Sequence, residues 1–315
     1  MKILVVLNQD GGTLKTTDLD WLSGLLKDEF TVQGHEIEVS RCKGEAVVQS
    51  IKDAVARADT DVLVVAGGDG TVSAAAATCA GTRTALGILP AGTMNLFART
   101  LQVPLDLEPA IQALASGTLT KVDVARVNGE VFVHQYAVGL HARMVRMRKK
   151  FSYGSRIGKV VATWRAGWMA IRSHPSVKLT IDLDGESQTI KSAAVAFSNN
   201  FYGNGHIPFA DDPTEGVLGV YICKADTVGR MSKLILDILM GTWRQNPHLV
   251  TQKARRVKIV YEGRHQDNRA VKDGELERLE RETVIEIEPG ALNVLVPSQA
   301  TYLKRVPRPG EVLPA

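Results

Sequence analysis

The chain has 315 residues, 44% of them hydrophobic and 23% charged, with a net charge of +4. These values describe an ordinary folded protein long enough for two domains and an ample core, and they exclude a disordered polyelectrolyte. So small a net charge calls for no nucleic-acid partner, and three scattered cysteines (Cys42, Cys79, Cys223) without a CxxC spacing fit neither a disulfide framework nor a zinc site. The apolar run at the start is too short for a signal peptide, and no uninterrupted apolar stretch could span a bilayer. A cytoplasmic protein is expected.

Ile3 to Leu7 reads as a buried strand that ends in the turn Asn8-Gln9-Asp10-Gly11-Gly12. Thr16-Thr17-Asp18 can cap a helix running to Phe30, with Trp21, Leu22, Leu25 and Leu26 on one face. Glu36 to Ser40 alternates as a second strand, and Glu45 to Ala58 is helical, with a stripe of Ala46, Val47, Ile51, Ala54 and Val55. Val62 to Ala66 is a β-branched run buried on both faces. It stops at Gly67-Gly68-Asp69-Gly70-Thr71, and a helix of small residues follows to about Ala80. A strand, a glycine turn and a helix start bring backbone N–H groups together on an anion. Asp69 within that turn would repel phosphate unless a divalent cation lay between them. A tight turn with an N-capping Asp accounts for the same residues.

Ala85 to Leu89 is the next strand, followed by Pro90-Ala91-Gly92-Thr93-Met94-Asn95 and another helix start, with Thr93 as either a ligand or an N-cap. The strand–helix alternation predicts a parallel sheet with helices on both faces and ligands at the carboxyl ends of its strands. Beyond Lys121 strands dominate: Val122 to Val127, Val131 to Ala137, Val177 to Leu183, Ser192 to Ser198, Val217 to Cys223, Arg256 to Tyr261 and Thr283 to Ile287. Asn128-Gly129 and Asp184-Gly185 are hairpin turns. The expected division is residues 1–121 as an α/β domain and 122–299 as an antiparallel β-sandwich, with a proline-rich tail over 300–315 that straps the surface or returns to the first domain.

Between Glu130 and Asp182 the chain holds no acidic residue, but it carries Arg143, Arg146, Arg148, Lys149, Lys150, Arg156, Lys159, Arg165, Arg172 and Lys178. Ile157, Val160, Val161, Trp164, Trp168 and Ile171 share one helical face in the same interval. A second helix, Val228 to Trp243, has Leu234, Ile235, Ile238, Leu239 and Met240. Both suit either packing on the sandwich or transient contact with an anionic membrane surface. Asp273-Gly274-Glu275 is a carboxylate pair at a glycine turn, or a plain hairpin tip. Gly154 to Val160 imitates a P-loop but is one residue short and lacks the hydroxyl after Lys159.

Gly67-Gly68-Asp69-Gly70-Thr71, Pro90 to Asn95 and Asp273-Gly274-Glu275, in this order, resemble the diacylglycerol kinase / sphingosine kinase superfamily, and its bacterial soluble lipid kinases in particular. The resemblance covers nearly the whole chain. It implies an N-terminal phosphofructokinase-like α/β nucleotide-binding domain and a C-terminal antiparallel β-sandwich that receives the lipid. It further implies transfer of the γ-phosphoryl of ATP to a hydroxyl of diacylglycerol or a related lipid, at the inner face of the membrane. Gly67, Gly68, Gly70 and Thr71 would hold the ATP phosphates, and Asn8, Gly12, Gly92, Thr93 and Asn95 would complete the nucleotide site. Asp69 would act on the nucleotide-bound Mg²⁺, Asp273 would be the general base, and Glu275 would support the metal or the base. A homodimer is compatible with this resemblance.

The opening turn departs from the family's pattern, which usually has Pro after the Asn, and Leu96 stands where many relatives have Asp. Pro208 to Gly216 matches only in part the Asp pattern with which some relatives hold a second, structural Mg²⁺, having Glu215 before the final Gly. Two other readings remain open. An NAD kinase shares the Gly-Gly-Asp-Gly turn, but its Asn-Glu/Asp dipeptide is missing. A catalytically weak nucleotide- or lipid-binding sensor is the other, and the retention of Asp69, Asp273 and Glu275 together argues against it.

Overall fold

The computed structural model describes residues 1–149, 176–263 and 269–304. The described residues form two compact units, Met1–Val124 with Phe209–Gly216 and Glu288–Ala315, and Ala125–Pro208 with Val217–Ile287.

In the first unit, β1 (Lys2–Asn8), β2 (Glu36–Cys42), β3 (Val62–Gly67) and β4 (Ala85–Pro90) form a parallel sheet in the order β2-β1-β3-β4. Every residue of β3 and β4 is buried, as expected for central strands of a sheet covered on both faces. The helices α1 (Leu19–Val32), α2 (Ala46–Ala56), α3 (Asp69–Cys79), α4 (Leu96–Thr100) and α5 (Leu107–Ala115) follow the strands, α1 packing with α5 and α2 with α3. Asp18 caps α1 as its sequence predicts, accepting from the N–H groups of Asp20 and Trp21. The apolar face of α1 is rotated from the expectation: Leu22, Leu26 and Phe30 are buried, but Trp21 is half exposed. In α2, Val47, Ile51 and Ala54 are buried and Ala46 is exposed.

The second unit begins within β5 (Thr118–Val127). The expected Val131–Ala137 strand is two strands, β6 (Glu130–Phe132) and β7 (Gln135–Gly139), broken at Val133 and His134. The helix α6 (Leu140–Lys149) follows. After it come β8 (Val177–Leu183), β9 (Glu186–Ser192), β10 (Ala194–Asn199), β11 (Leu218–Cys223), α7 (Val228–Leu239), β12 (Leu249–Ala254), β13 (Arg256–Tyr261), β14 (Arg269–Lys272), β15 (Glu275–Arg278) and β16 (Glu282–Val296). Strands β9, β12, β14 and β15 are additions to the sequence reading; β9, β12 and β15 are edge strands that bury few of their residues.

Six strands form one antiparallel sheet, β12-β11-β10-β7-β14-β15, and β16-β13-β8-β9 form another ladder. Phe132, Tyr136, Val138, Val195, Phe197, Leu179, Ile181, Val257, Ile259 and Ile285, drawn from both, share one buried core. Asn128-Gly129, Asp184-Gly185 and Asp273-Gly274 all have positive φ at both positions, the backbone that a tight two-residue hairpin with right-handed strand twist requires.

The basic residues from Lys150 to Arg172, the apolar stripe from Ile157 to Ile171 and the tail beyond Lys304 lie outside the described residues. On α7 the expected stripe divides. Met231 and Leu234 are buried, while Leu236, Ile238, Leu239 and Met240 are exposed.

Candidate active site

Three loops meet at the carboxyl ends of β1, β3 and β4 in the first unit. Asn8, the last residue of β1, donates from Nδ2 to Thr71 Oγ1 at 2.9 Å. Thr13 N–H donates to Ala91 O at 2.9 Å, and Ala91 N–H donates to Gly67 O at 3.0 Å. Asp69 closes the arrangement: Oδ1 accepts from Leu96 N–H at 2.7 Å and Oδ2 from Asn95 N–H at 3.2 Å. One carboxylate at the head of α3 therefore satisfies two of the donors that open α4. The position of Leu96, where the family often has Asp, serves through its backbone, so that substitution leaves this contact in place.

The glycines allow the loops to approach. A Cβ on Gly92 would come within 2.7 Å of Gly68 Cα, and one on Gly12 within 2.7 Å of Ala91 O. On Gly67 it would strike the Thr71 side chain at 2.7 Å. Asn95 takes a left-handed backbone (φ 51°), and its amide bridges back to Gly92, accepting from Gly92 N–H at 2.8 Å and donating to Gly92 O at 3.1 Å. Gly70 and Thr93 are exposed at the rim.

No side chain caps α3 at Gly68, so the positive end of the helix dipole opens onto the junction of the loops. That arrangement suits an anion with several acceptor oxygens. Among the described residues no three His, Cys, Asp or Glu side chains gather to hold a metal. Mg²⁺ commonly takes only one or two carboxylates and completes its shell with phosphates and water. Each Asp69 oxygen accepts one N–H and has a second lone pair, so the donor set fits a cation that arrives with a nucleotide.

Asp273 belongs to the second unit. It is the first residue of the β14–β15 hairpin turn, as the hairpin-tip alternative held, with φ 45°. Its carboxylate is nonetheless bound. Oδ1 accepts from His134 N–H (2.9 Å) and Gln135 N–H (3.0 Å), and Oδ2 from Val133 N–H (3.0 Å). The break between β6 and β7 supplies these donors, which a continuous strand would have spent on its ladder. Oδ2 carries the fewer of these bonds. Glu275 is exposed at the start of β15.

Sequence reasoning did not single out Val133 to Gln135 or the aromatic residues beside them. The His134 ring stacks on Tyr202 with centroids 5.6 Å apart, and Tyr202 stacks on Tyr221 at 4.9 Å. Tyr202 Oη donates to Gln135 Oε1 at 3.1 Å, and burial drives its phenol well above its ordinary pKa, so it stays a donor. The available signal was the polar pair His134-Gln135 interrupting an apolar run.

Two family models match the chain. Residues 2–127 match the diacylglycerol kinase catalytic domain, and residues 136–296 match the YegS C-terminal NAD kinase beta sandwich-like domain. The chain is 26% identical over 241 residues to the diacylglycerol kinase of Bacillus subtilis (strain 168), covering 73% of this chain and 77% of that one. An uncharacterized Synechocystis protein, sll0036, is 27% identical over 244 residues, 73% of this chain and 55% of that protein, so the match spans little more than half of that relative.

Among solved structures, a diacylglycerol kinase from Bacillus anthracis str. Sterne superposes with a TM-score of 0.68 at 18% identity, over 95% of this chain and 98% of that one. A candidate diacylglycerol kinase from the same strain gives 0.75 at 22%, over 95% and 96%. A catalytic-domain match followed by a β-domain match over half the chain places this protein in the diacylglycerol kinase family of bacterial type, built as an α/β domain with a C-terminal antiparallel β domain.

Proposed function

We propose that this chain is an ATP- and Mg²⁺-dependent lipid kinase that transfers the γ-phosphoryl group to a hydroxyl of diacylglycerol or a related lipid. The observation that carries the reading is the uncapped start of α3, enclosed by three glycine-bearing loops, two of them tied by Asp69 and the third held by Asn8 and Thr13. Phosphoryl transfer asks little covalent chemistry of a protein, and positioning with charge neutralisation suffices.

In this reading Gly67, Gly68, Gly70 and Thr71 hold the nucleotide phosphates, with Asn8, Gly12, Gly92, Thr93 and Asn95 fixing the loops around them. Asp69 faces the nucleotide-borne cation, which neutralises charge on the phosphates when bound. Asp273, its carboxylate oriented by the N–H groups of Val133, His134 and Gln135, takes the proton of the lipid hydroxyl. Glu275 supports the cation or the base. The protein would work at the cytoplasmic face of the membrane through transient contact; among the described residues no helix is long and apolar enough to cross it.

An NAD kinase-like activity is the second reading, favoured by the NAD kinase-like description of the C-terminal domain. Purified protein incubated with γ-labelled ATP, Mg²⁺ and either diacylglycerol, other lipid alcohols or NAD separates the two. Label in a lipid phosphate supports the lipid kinase. Label in NAD alone overturns it, and nucleotide binding without transfer to any acceptor indicates a sensor.

A further inference from the structure

The described part of the acid-free interval contributes to a pocket that the proposed transfer reaction does not use. It lies wholly within the second unit, has a volume of about 230 Å³, and is lined by Gly139, Ala142, Val177 and Leu279 with Arg143, Arg146, Arg269, Ser176 and Tyr261. Arg143 and Arg146 stand three apart on α6, hence on one helical face. Arg269 opens β14, against which α6 packs.

The floor is apolar and closely packed. Ala142 and Leu279 are 2% exposed, and Gly139 sits where a Cβ would lie 2.5 Å from Ala193 O. The rim is cationic, and no carboxylate is among its described lining residues. Glu262, next to Tyr261, is engaged by Lys178 Nζ at 2.5 Å and by Thr180 Oγ1 at 2.7 Å. Opposite Arg269 in the hairpin register stands another arginine, Arg278, so the positive charge is reinforced there.

Three arginines lining a small pocket, together with a serine and a tyrosine, match a group with several charged oxygens. The volume falls below the roughly 300–1,000 Å³ of sites for drug-sized ligands and far exceeds the about 30 Å³ share of one water. That size suits a headgroup. We propose that the pocket formed by Arg143, Arg146, Arg269, Ser176 and Tyr261 binds a phosphomonoester, taken either from an anionic lipid headgroup or from free solution. A phosphomonoester presents three terminal oxygens and close to two charges at neutral pH, which forked donors from two elements can share. This proposal does not depend on the kinase reading, because none of its residues is assigned to transfer.

The test measures binding rather than turnover. Glycerol 3-phosphate and inorganic phosphate are titrated calorimetrically into the full chain, and sedimentation is compared with phosphatidylcholine vesicles with and without phosphatidic acid. The variants are Arg143→Gln/Arg269→Gln and, as a charge control on the other unit, Arg83→Gln. Affinity for the soluble phosphomonoester is expected to fall about tenfold or more in the double variant, the loss expected when charge-assisted hydrogen bonds are removed. The Arg83 variant should bind as the parent does, and all three proteins should unfold at the same temperature, since these arginines are exposed.

Vesicle binding that requires phosphatidic acid and is displaced by glycerol 3-phosphate assigns the pocket to a lipid headgroup. Binding of soluble phosphate alone assigns it to a free metabolite. No binding of either probe, equal binding by the double variant, or an equal loss in the Arg83 control overturns the proposal.

Discussion

Asp69 at the head of α3 and Asp273 at the head of a hairpin turn each have a carboxylate that receives backbone N–H groups, yet the two are bound differently. Asp69 links two loops, one N–H to each oxygen. In Asp69→Asn one of those N–H groups would face an amide NH₂ and lose its acceptor. Stability should fall by about 1–2 kcal/mol, the cost of one stranded donor in a half-buried loop, and nucleotide affinity should fall with it. Urea unfolding and a nucleotide titration measure both. A variant unchanged in both would mean that the loops are held by other contacts.

Asp273 differs because its carboxylate gathers the N–H groups of three successive residues, those of His134 and Gln135 on Oδ1 and that of Val133 on Oδ2. Asp273→Asn can keep a carbonyl oxygen at the doubly bonded position and remove the proton acceptor at the other. Turnover is expected to drop about 10²- to 10⁴-fold, the usual contribution of a positioned base, while ATP binding is retained. Near-normal turnover would remove Asp273 from the role of base.

Among the secondary-structure elements, α7 shows how a sequence stripe overstates burial. Periodicity groups Leu234, Ile235, Ile238, Leu239 and Met240, but the neighbours of α7 cover only the side that bears Met231, Leu234 and Ile235. Leu234→Ala should therefore cost about 2–4 kcal/mol, through lost burial and a residual cavity. Leu239→Gln, at a position 59% exposed, should stay within about 0.5 kcal/mol. Equal effects in thermal unfolding of the two variants would show that the outer face is covered in solution. The β6–β7 break carries the opposite lesson. Apolar content there suggests one strand, and the interruption that frees three N–H groups for Asp273 depends on a partner about 140 residues away in sequence.

For the molecule as a whole, the first unit is assembled from three distant parts of the chain, and Asp123 is where they join. It is 2% exposed, and its carboxylate accepts from Gly216 N–H at 2.7 Å and Gly290 N–H at 3.0 Å. Its own N–H donates to Pro213 O at 2.8 Å. Asp123→Ala strands two part-buried donors and should lower stability by about 2 kcal/mol, seen as a lower urea midpoint with an unchanged slope. An unchanged midpoint would show that Phe209–Gly216 and Glu288 onward are held without it.

Local chemistry was legible from the sequence. The buried parallel strands show as unbroken β-branched runs, because a sheet covered on both faces has no polar side to present. The hairpins show as Asn-Gly and Asp-Gly, because few other pairs tolerate two positive φ angles. The glycine loops and their carboxylates are visible for the same reason: close backbone approach excludes a Cβ, and only a few residue types meet that constraint. Tertiary structure alone decided which partners those groups find. That Asp69 binds the start of α4, that Asp273 turns to the β6–β7 break, and that three arginines line one pocket all depend on contacts between residues far apart in the chain. Backbone N–H groups carry no residue identity, so at Asp69 and Asp273 the sequence displays the acceptor and leaves its donors to the fold.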